Sequence, residues 1–410
     1  MAAVEYELQI LQEMLKWVKE KLTRVELNKL LLDTDHERIT AWHAVAQRGK
    51  LDLLQKIWDL AEHNLTMEEV NNILLFTRDD MGRTVLHIAA ETGNLRILQE
   101  ILKWATEKLT TEELTKLLLV ADHNGRAVLH VATEGYKTEI LREILNFAKD
   151  KLSSEEINKL FLATDHKMMT AWHVVARRGI PELLEDITDW AEEFLTTEKV
   201  NNKLLLATDD KGRTFFHVAA EDYKEWIFNK ISKWAKEKLT SEEVNKLLLA
   251  TDHKGRTVFH VAANDYEKDI LYEIFEWAKL NLTPEEVNKL LLATDDKGRK
   301  VLHVAAWVYK PWILQEILQW AEEKVTTEEL FKLLLAKDDE GSTVFHVAAM
   351  AYTPQILQEI MKWALEKLTT EEINKLLLVI DYKGRTVLHL AEGTYKLQML
   401  QEMLKKAKRN

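Results

Sequence analysis

One stretch, D-D-K-G-R-T-F-F-H-V-A-A at residues 209–220, returns with small edits nine times along the chain, and its period constrains the fold more than any other feature. Indexed by histidine, the copies fall at His43, His87, His130, His173, His217, His260, His303, His346 and His389. Their spacings are 44, 43, 43, 44, 43, 43, 43 and 43 residues. A period of this size, held from end to end, marks a solenoid in which each repeat buries its apolar face only against its neighbours. No Pro/Gly/Ser-rich linker interrupts it. The expectation is one repeat domain over 1–410, with a partial repeat at 1–34, eight full repeats over 35–378 and a partial repeat at 379–410.

Within one repeat, residues 209–250, a turn and three helical stretches follow one another. Gly212 supplies a positive φ for the turn, and Thr214 then starts a short helix whose Ala219 and Ala220 allow close backbone approach. A second helix over about 225–238 carries Ile227, Ile231, Trp234 and Ala235 on one apolar stripe. A third opens on Thr240-Ser241-Glu242-Glu243, a capping box. With 12 Gly, 4 Pro and abundant Leu, Glu, Lys and Ala, helical propensity is high throughout. Two repeats gain one residue, at Asn71-Asn72 and Asn201-Asn202, where a bulge or longer loop must absorb a rotation of about 100°.

The segments at 79–90 and 252–263, D-x-x-G-R-T-V-x-H-x-A-A, closely resemble the ankyrin repeat motif. The resemblance implies an all-α solenoid of helical repeats with short finger turns, whose fingers and first helices form a concave face that binds other proteins. Two departures accompany it. The proline of the family's T-P-L-H segment is replaced, mostly by Val as at Val85 and Val258. The repeat is also about ten residues longer than the usual ~33, because the exit loop has become a third helix.

Composition narrows the function. The net charge of −12 opposes general affinity for nucleic-acid phosphates or anionic membranes. Nucleic acid is left only a local basic strip, Arg38, Arg48, Arg177 and Arg178. With no cysteine there is no disulfide, thiolate metal site or thiol nucleophile. No apolar run approaches the ~20 residues needed to cross a bilayer, and residues 1–12 lack a signal pattern, so a soluble, cytoplasmic, monomeric protein is expected. Phosphate-loop, G-x-S-x-G and H-E-x-x-H patterns are absent, and the paired glutamates sit at helix starts where the dipole favours them. No enzyme, cofactor or metal follows. The nine histidines cannot form a metal ladder, since stacked layers stand about 10 Å apart whereas zinc ligands lie about 2.1 Å from one centre. Each is expected to hydrogen-bond a preceding Thr and a neighbouring turn.

Comparison among repeats separates frame from variable positions. Trp17, Trp104, Trp190, Trp234, Trp277, Trp320 and Trp363 share one register and read as packing; Trp42, Trp58, Trp172, Trp226, Trp307 and Trp312 fall outside it and read as candidate anchors. Variation gathers at finger tips and first-helix ends, as a binding surface on a fixed scaffold requires. Repeats one and four share T-A-W-H and replace the finger's Gly-Arg by Arg38-Ile39 and Met168-Met169, at about 1 kcal/mol of strain if φ stays positive. Repeats seven and eight offer Trp307, Val308, Trp312, Met350, Ala351 and Pro354, rimmed by Tyr309 and Tyr352. The reading is a protein- or peptide-binding scaffold with these residues as its partner surface. The alternatives are a ligand-free structural or designed spacer, consistent with the near-identity of the repeats, and a natural effector that binds a host protein.

Overall fold

The computed structural model describes residues 13, 17–18, 20–36, 38–135, 137–194, 204–221, 225–264, 268–308, 311–351, 353–391 and 400–401. The chain divides into two compact halves, 1–200 and 201–410, built alike. Each is an α-solenoid: repeats of a finger turn and three helices, with no strand among the described residues beyond two isolated bridges. First helices run Ala41–Gln47, Val85–Thr92, Val128–Glu134 and Ala171–Arg178 in one half, and Phe215–Glu221, Val258–Asn264, Val301–Trp307, Val344–Met350 and Val387–Ala391 in the other. Within a half, first helices pack on first helices, second on second and third on third. Among the described residues no helix is long and apolar enough to cross a membrane.

Local chemistry explains the element boundaries. Third helices start on Thr or Ser with Glu three residues on, and both arms of the capping box form, as at Thr110 with Glu113 and Thr240 with Glu243. The first helix uses a variant in which histidine stands in the glutamate's place: the Nδ1 of His87 accepts from the Thr84 backbone N–H at 3.3 Å and from its hydroxyl at 2.9 Å. Second helices bury stripes such as Ile97, Leu98, Ile101 and Leu102. The extra residue at Asn71-Asn72 is absorbed by a π-helical turn, Asn71–Leu75. Its counterpart at Asn201-Asn202 lies outside the described residues.

The other ring nitrogen joins one repeat to the next. The Nε2–H of His87 donates to the Arg126 carbonyl at 3.0 Å, that of His217 to Arg256 at 3.0 Å, that of His260 to Arg299 at 3.1 Å and that of His346 to Arg385 at 3.0 Å. A backbone acceptor on one side and N–H and O–H donors on the other select the neutral Nε2–H tautomer. Fingers are stitched the same way: the N–H of His123 donates to the Met81 carbonyl at 2.8 Å, and that of Asp339 to Lys297 at 2.9 Å. This close crossing is why glycine sits at the tip. Gly82 has φ +75°, and an added Cβ would stand 2.9 Å from the His123 nitrogen.

Aromatic rings fill the seam between repeats. Trp104 takes Trp42 and Trp58 of the preceding repeat at 5.7 and 4.5 Å, Trp277 takes Phe216 at 4.9 Å, and Trp320 takes Phe259 at 5.5 Å. The tryptophan register is therefore a packing register over most of its length. Trp17 departs from it, at 58% exposed, because no preceding repeat's ring lies against it among the described residues.

Burial depresses the histidine pKa values, to about 4 for His217 and His303 and downward for His43, His87, His130, His260 and His346, with the acceptor carbonyls only partly offsetting it. A group whose folded pKa lies below its unfolded ~6.5 supports folding fully above that value, and the support is lost as pH falls from 6.5 towards 4. For His217 and His303 the loss is about 3 kcal/mol each. We expect circular dichroism to show the melting temperature falling steeply between pH 6.5 and 4; an unchanged value from neutrality to pH 4.5 would contradict this bridge chemistry.

Candidate functional site

The face carried by fingers and first-helix ends is built on a three-part charge motif. In the finger, an aspartate folds the turn: Asp252 Oδ1 accepts the Lys254 and Arg256 N–H groups at 2.9 Å each, while Oδ2 accepts Arg256 Nε at 2.8 Å. The same Asp–Arg pair closes Asp79–Arg83, Asp122–Arg126, Asp209–Arg213, Asp295–Arg299 and Asp381–Arg385. Where a glutamate ends the first helix it takes the other side of the guanidinium, as Glu91 does for Arg83, Glu134 for Arg126 and Glu221 for Arg213. Glutamates also reach the following repeat, Glu221 to Arg256 at 3.3 Å and Glu134 to Arg177 at 3.4 Å. Although burial alone would raise them, the Asp122, Asp209 and Asp295 carboxyls are held below their usual range by the arginines and backbone N–H groups.

In the first half the expected anchors sort by depth. Trp42 and Trp172 are each 1% exposed and Met169 equally so. Trp42 and Trp172 stand one residue before the bridging histidine, at a position that faces the seam, so a larger ring there deepens the core. They cannot meet a partner, which corrects the expectation for all three, and Trp58 shares the correction. Arg38, Arg48 and Met168 are exposed, and Arg177 and Arg178 half-buried. The basic strip is smaller than its four arginines imply: Arg177 is spent on Glu134 and lies 3.4 Å from the Met169 sulfur, and Arg178 has a buried Nε. Arg38 and Met168 do hold the left-handed backbone, φ 56° and 55°, so the strain is present where glycine was given up.

In the second half Trp226 and Trp312 are half-buried near the starts of second helices, Met350 is half-buried, and Trp307 is 50% exposed at the end of its first helix. Val308 and Ala351 are buried, closing the helix ends against their own repeats, so neither can serve as a contact. Tyr309 and Tyr352 lie outside the described residues. Between the fingers and first helices of repeats seven and eight runs a groove of about 450 Å³, with Trp307, Met350 and Val347 as its apolar lining and Asp296, Asp338, Asp339 and Glu340 among its carboxylates. Trp307 and Met350 stand out in the sequence by their irregularity, whereas the acidic rim and Ser342 belong to the site only through the fold. The latter is visible in sequence as the one G-S-T among the G-R-T fingers. Among the described residues no group of three His, Asp or Glu side chains could hold a metal ion.

The ankyrin repeat profile matches residues 81–107, the second repeat, whose turn, bridge and helix geometry recurs in the other described repeats. Among solved structures, the ankyrin repeat domain of Bcl-3, described as a unique member of the IkappaB protein family, is similar at 15% identity and a TM-score of 0.47, over 68% of this chain and 98% of that one. No curated protein sequence matches the chain.

The strained fingers predict a stability gain. Met168→Gly removes the left-handed penalty at the cost of added backbone freedom, for a net stabilisation of about 0.5–1 kcal/mol. Urea denaturation should show a higher midpoint than wild type; an equal or lower midpoint would mean that the turn tolerates methionine without strain.

Proposed function

We propose, from the match of its second repeat to the ankyrin repeat profile, a family whose repeats generally mediate protein–protein interaction, that the chain binds a protein or peptide through finger tips and first-helix ends, centred on the groove of repeats seven and eight. The observation that carries this is Trp307. It stands half-exposed where repeats two, three and five end their first helices on a glutamate that neutralises an arginine. A large ring left in solvent beside Met350, over a groove with an acidic rim, has the composition of an interface anchor. Arg38 and Arg48 of repeat one and Met168 of repeat four are also exposed in the first half, and we infer supporting contacts for them. Binding without catalysis fits the family's usual role as a scaffold.

The competing reading, a spacer without a ligand, draws support from the burial of Trp42, Trp58 and Trp172, which removes half of the irregular tryptophans from the surface. Trp307 separates the two. In a pull-down with the full chain as bait, Trp307→Ala/Met350→Ala should lose a partner that wild type retains, with affinity reduced by about 2 kcal/mol or more. Tyr272→Ala, on an exposed second-helix position, should keep it. Equal recoveries for all three proteins would leave only the spacer.

A further inference from the structure

Repeat eight breaks the charge motif at one place. Its finger reads D-D-E-G-S-T, so that Ser342 stands where six other repeats carry the arginine of the Asp–Arg pair. The aspartate keeps half of its work: Asp338 Oδ1 accepts the Glu340 N–H at 3.0 Å and the Ser342 N–H at 2.8 Å. Its Oδ2, which elsewhere receives the guanidinium, has no hydrogen bond or ion pair among the described residues. Ser342 is 1% exposed and its buried hydroxyl has no partner among the described residues, while Asp338 is half-buried and its Oδ2 stands open to the groove. The substitution has thus left one buried polar group unsatisfied and one carboxylate oxygen accessible where the arginine would pass. The buried group is costly unless something answers it.

The vacated place coincides with the groove. In repeat six the arginine bridges its own aspartate and the last first-helix residue of the repeat before, Asp252 and Glu221. The equivalents for repeat eight are Asp338 and Trp307, and both line the groove, as does Met350, the counterpart of the glutamate that ends the first helix in repeats two, three and five. The rim is acidic. Asp296, Asp339 and Glu340 join Asp338; of the two cations in the lining, Arg299 is committed to Asp295 at 2.6 Å, which leaves Lys297. Lys300, outside the lining, donates to the Gly298 and Lys337 carbonyls and feels the charge of Asp338 and Asp339. His303, also in the lining, is neutral at pH 7, its pKa being about 4.

We propose that this groove is an arginine receptor: it takes a guanidinium from an exposed segment of a partner protein, in the place that the repeat's own arginine fills elsewhere in the chain. The partner's N–H groups meet Asp338 Oδ2, Trp307 offers its ring face to the cation, and the remaining carboxylates favour a basic segment over a neutral one. Lysine is a poorer fit, because a point charge cannot span carboxylate and ring as the planar group does. The inference rests on this face being the binding surface.

The test is a selection of displayed random peptides on the full chain, followed by fluorescence anisotropy with labelled synthetic copies of those enriched. Enriched peptides should carry arginine, and replacing it by citrulline should weaken binding roughly tenfold or more, with lysine in between. Ser342→Arg supplies the guanidinium in cis: it should abolish peptide binding while keeping or raising the melting temperature, so that the loss cannot come from unfolding. Asp338→Asn, which retains the Oδ1 acceptor, should also weaken binding. If citrulline peptides bind as well as arginine peptides, or if Ser342→Arg binds undiminished, the receptor is overturned. Peptides that depend on Trp307 yet lack arginine would overturn it while leaving the binding face intact. Failure to enrich any peptide would overturn both.

Discussion

The neutral imidazole that spans adjacent repeats is the contact on which the stack depends. In repeats two, three and five to eight the ring closes the start of its own first helix through Nδ1 and donates through Nε2 to a carbonyl of the next finger, so one side chain sets both a helix boundary and a repeat-to-repeat distance. That geometry needs small residues beside it, which the Ala-Ala pair provides, and a filled seam behind it, which the aromatic rings provide. It also needs water kept out, since burial is what holds the ring neutral and leaves its Nδ1 to accept from the backbone N–H. Because every one of these contacts reaches only to a neighbour, stability is close to a sum of repeat and interface terms.

The fingers follow the same logic with charge. Aspartate, arginine and helix-end glutamate satisfy one another wherever all three are present, and the face there holds little uncommitted charge. Departures from the motif come in two kinds. In repeat four the loss of Gly-Arg leaves a strained backbone and redirects Arg177 to a neighbour's glutamate. In repeat eight the backbone stays regular, with Gly341 at φ 75°, and only the guanidinium is gone. Local rules broken against an otherwise consistent background are where function is most profitably sought.

Much of this was legible in the residues themselves. The period, the capping boxes and the structural role of the histidines follow from spacing and residue chemistry. Trp42, Trp58 and Trp172 were misjudged because they differ from the usual residue in identity while keeping its position. An aromatic substituted at a seam position enlarges the core instead of leaving it, and periodicity within one helix cannot show that a neighbouring repeat lies on top. Trp17 fails in the opposite sense: it shares the register yet is exposed, with no partner ring among the described residues. Ser342 escaped notice because a serine in a polar turn is unremarkable until the pairing of Asp with Arg is known, and that pairing is three-dimensional knowledge.

The π-turn at Asn71–Leu75 carries an implication for how such arrays change length. The surplus residue is spent before the following finger, which at Asp79 and Gly82 is folded like the others, while the ring of His43 meets the Thr77 carbonyl at 3.2 Å, ahead of that finger, and not the finger carbonyl that His87 and its counterparts use. Phase along the array is thus restored at the finger and not fixed by residue count, with the third helix acting as the slack in the mechanism. An insertion of one residue there is therefore a local edit, absorbed before the next finger is reached.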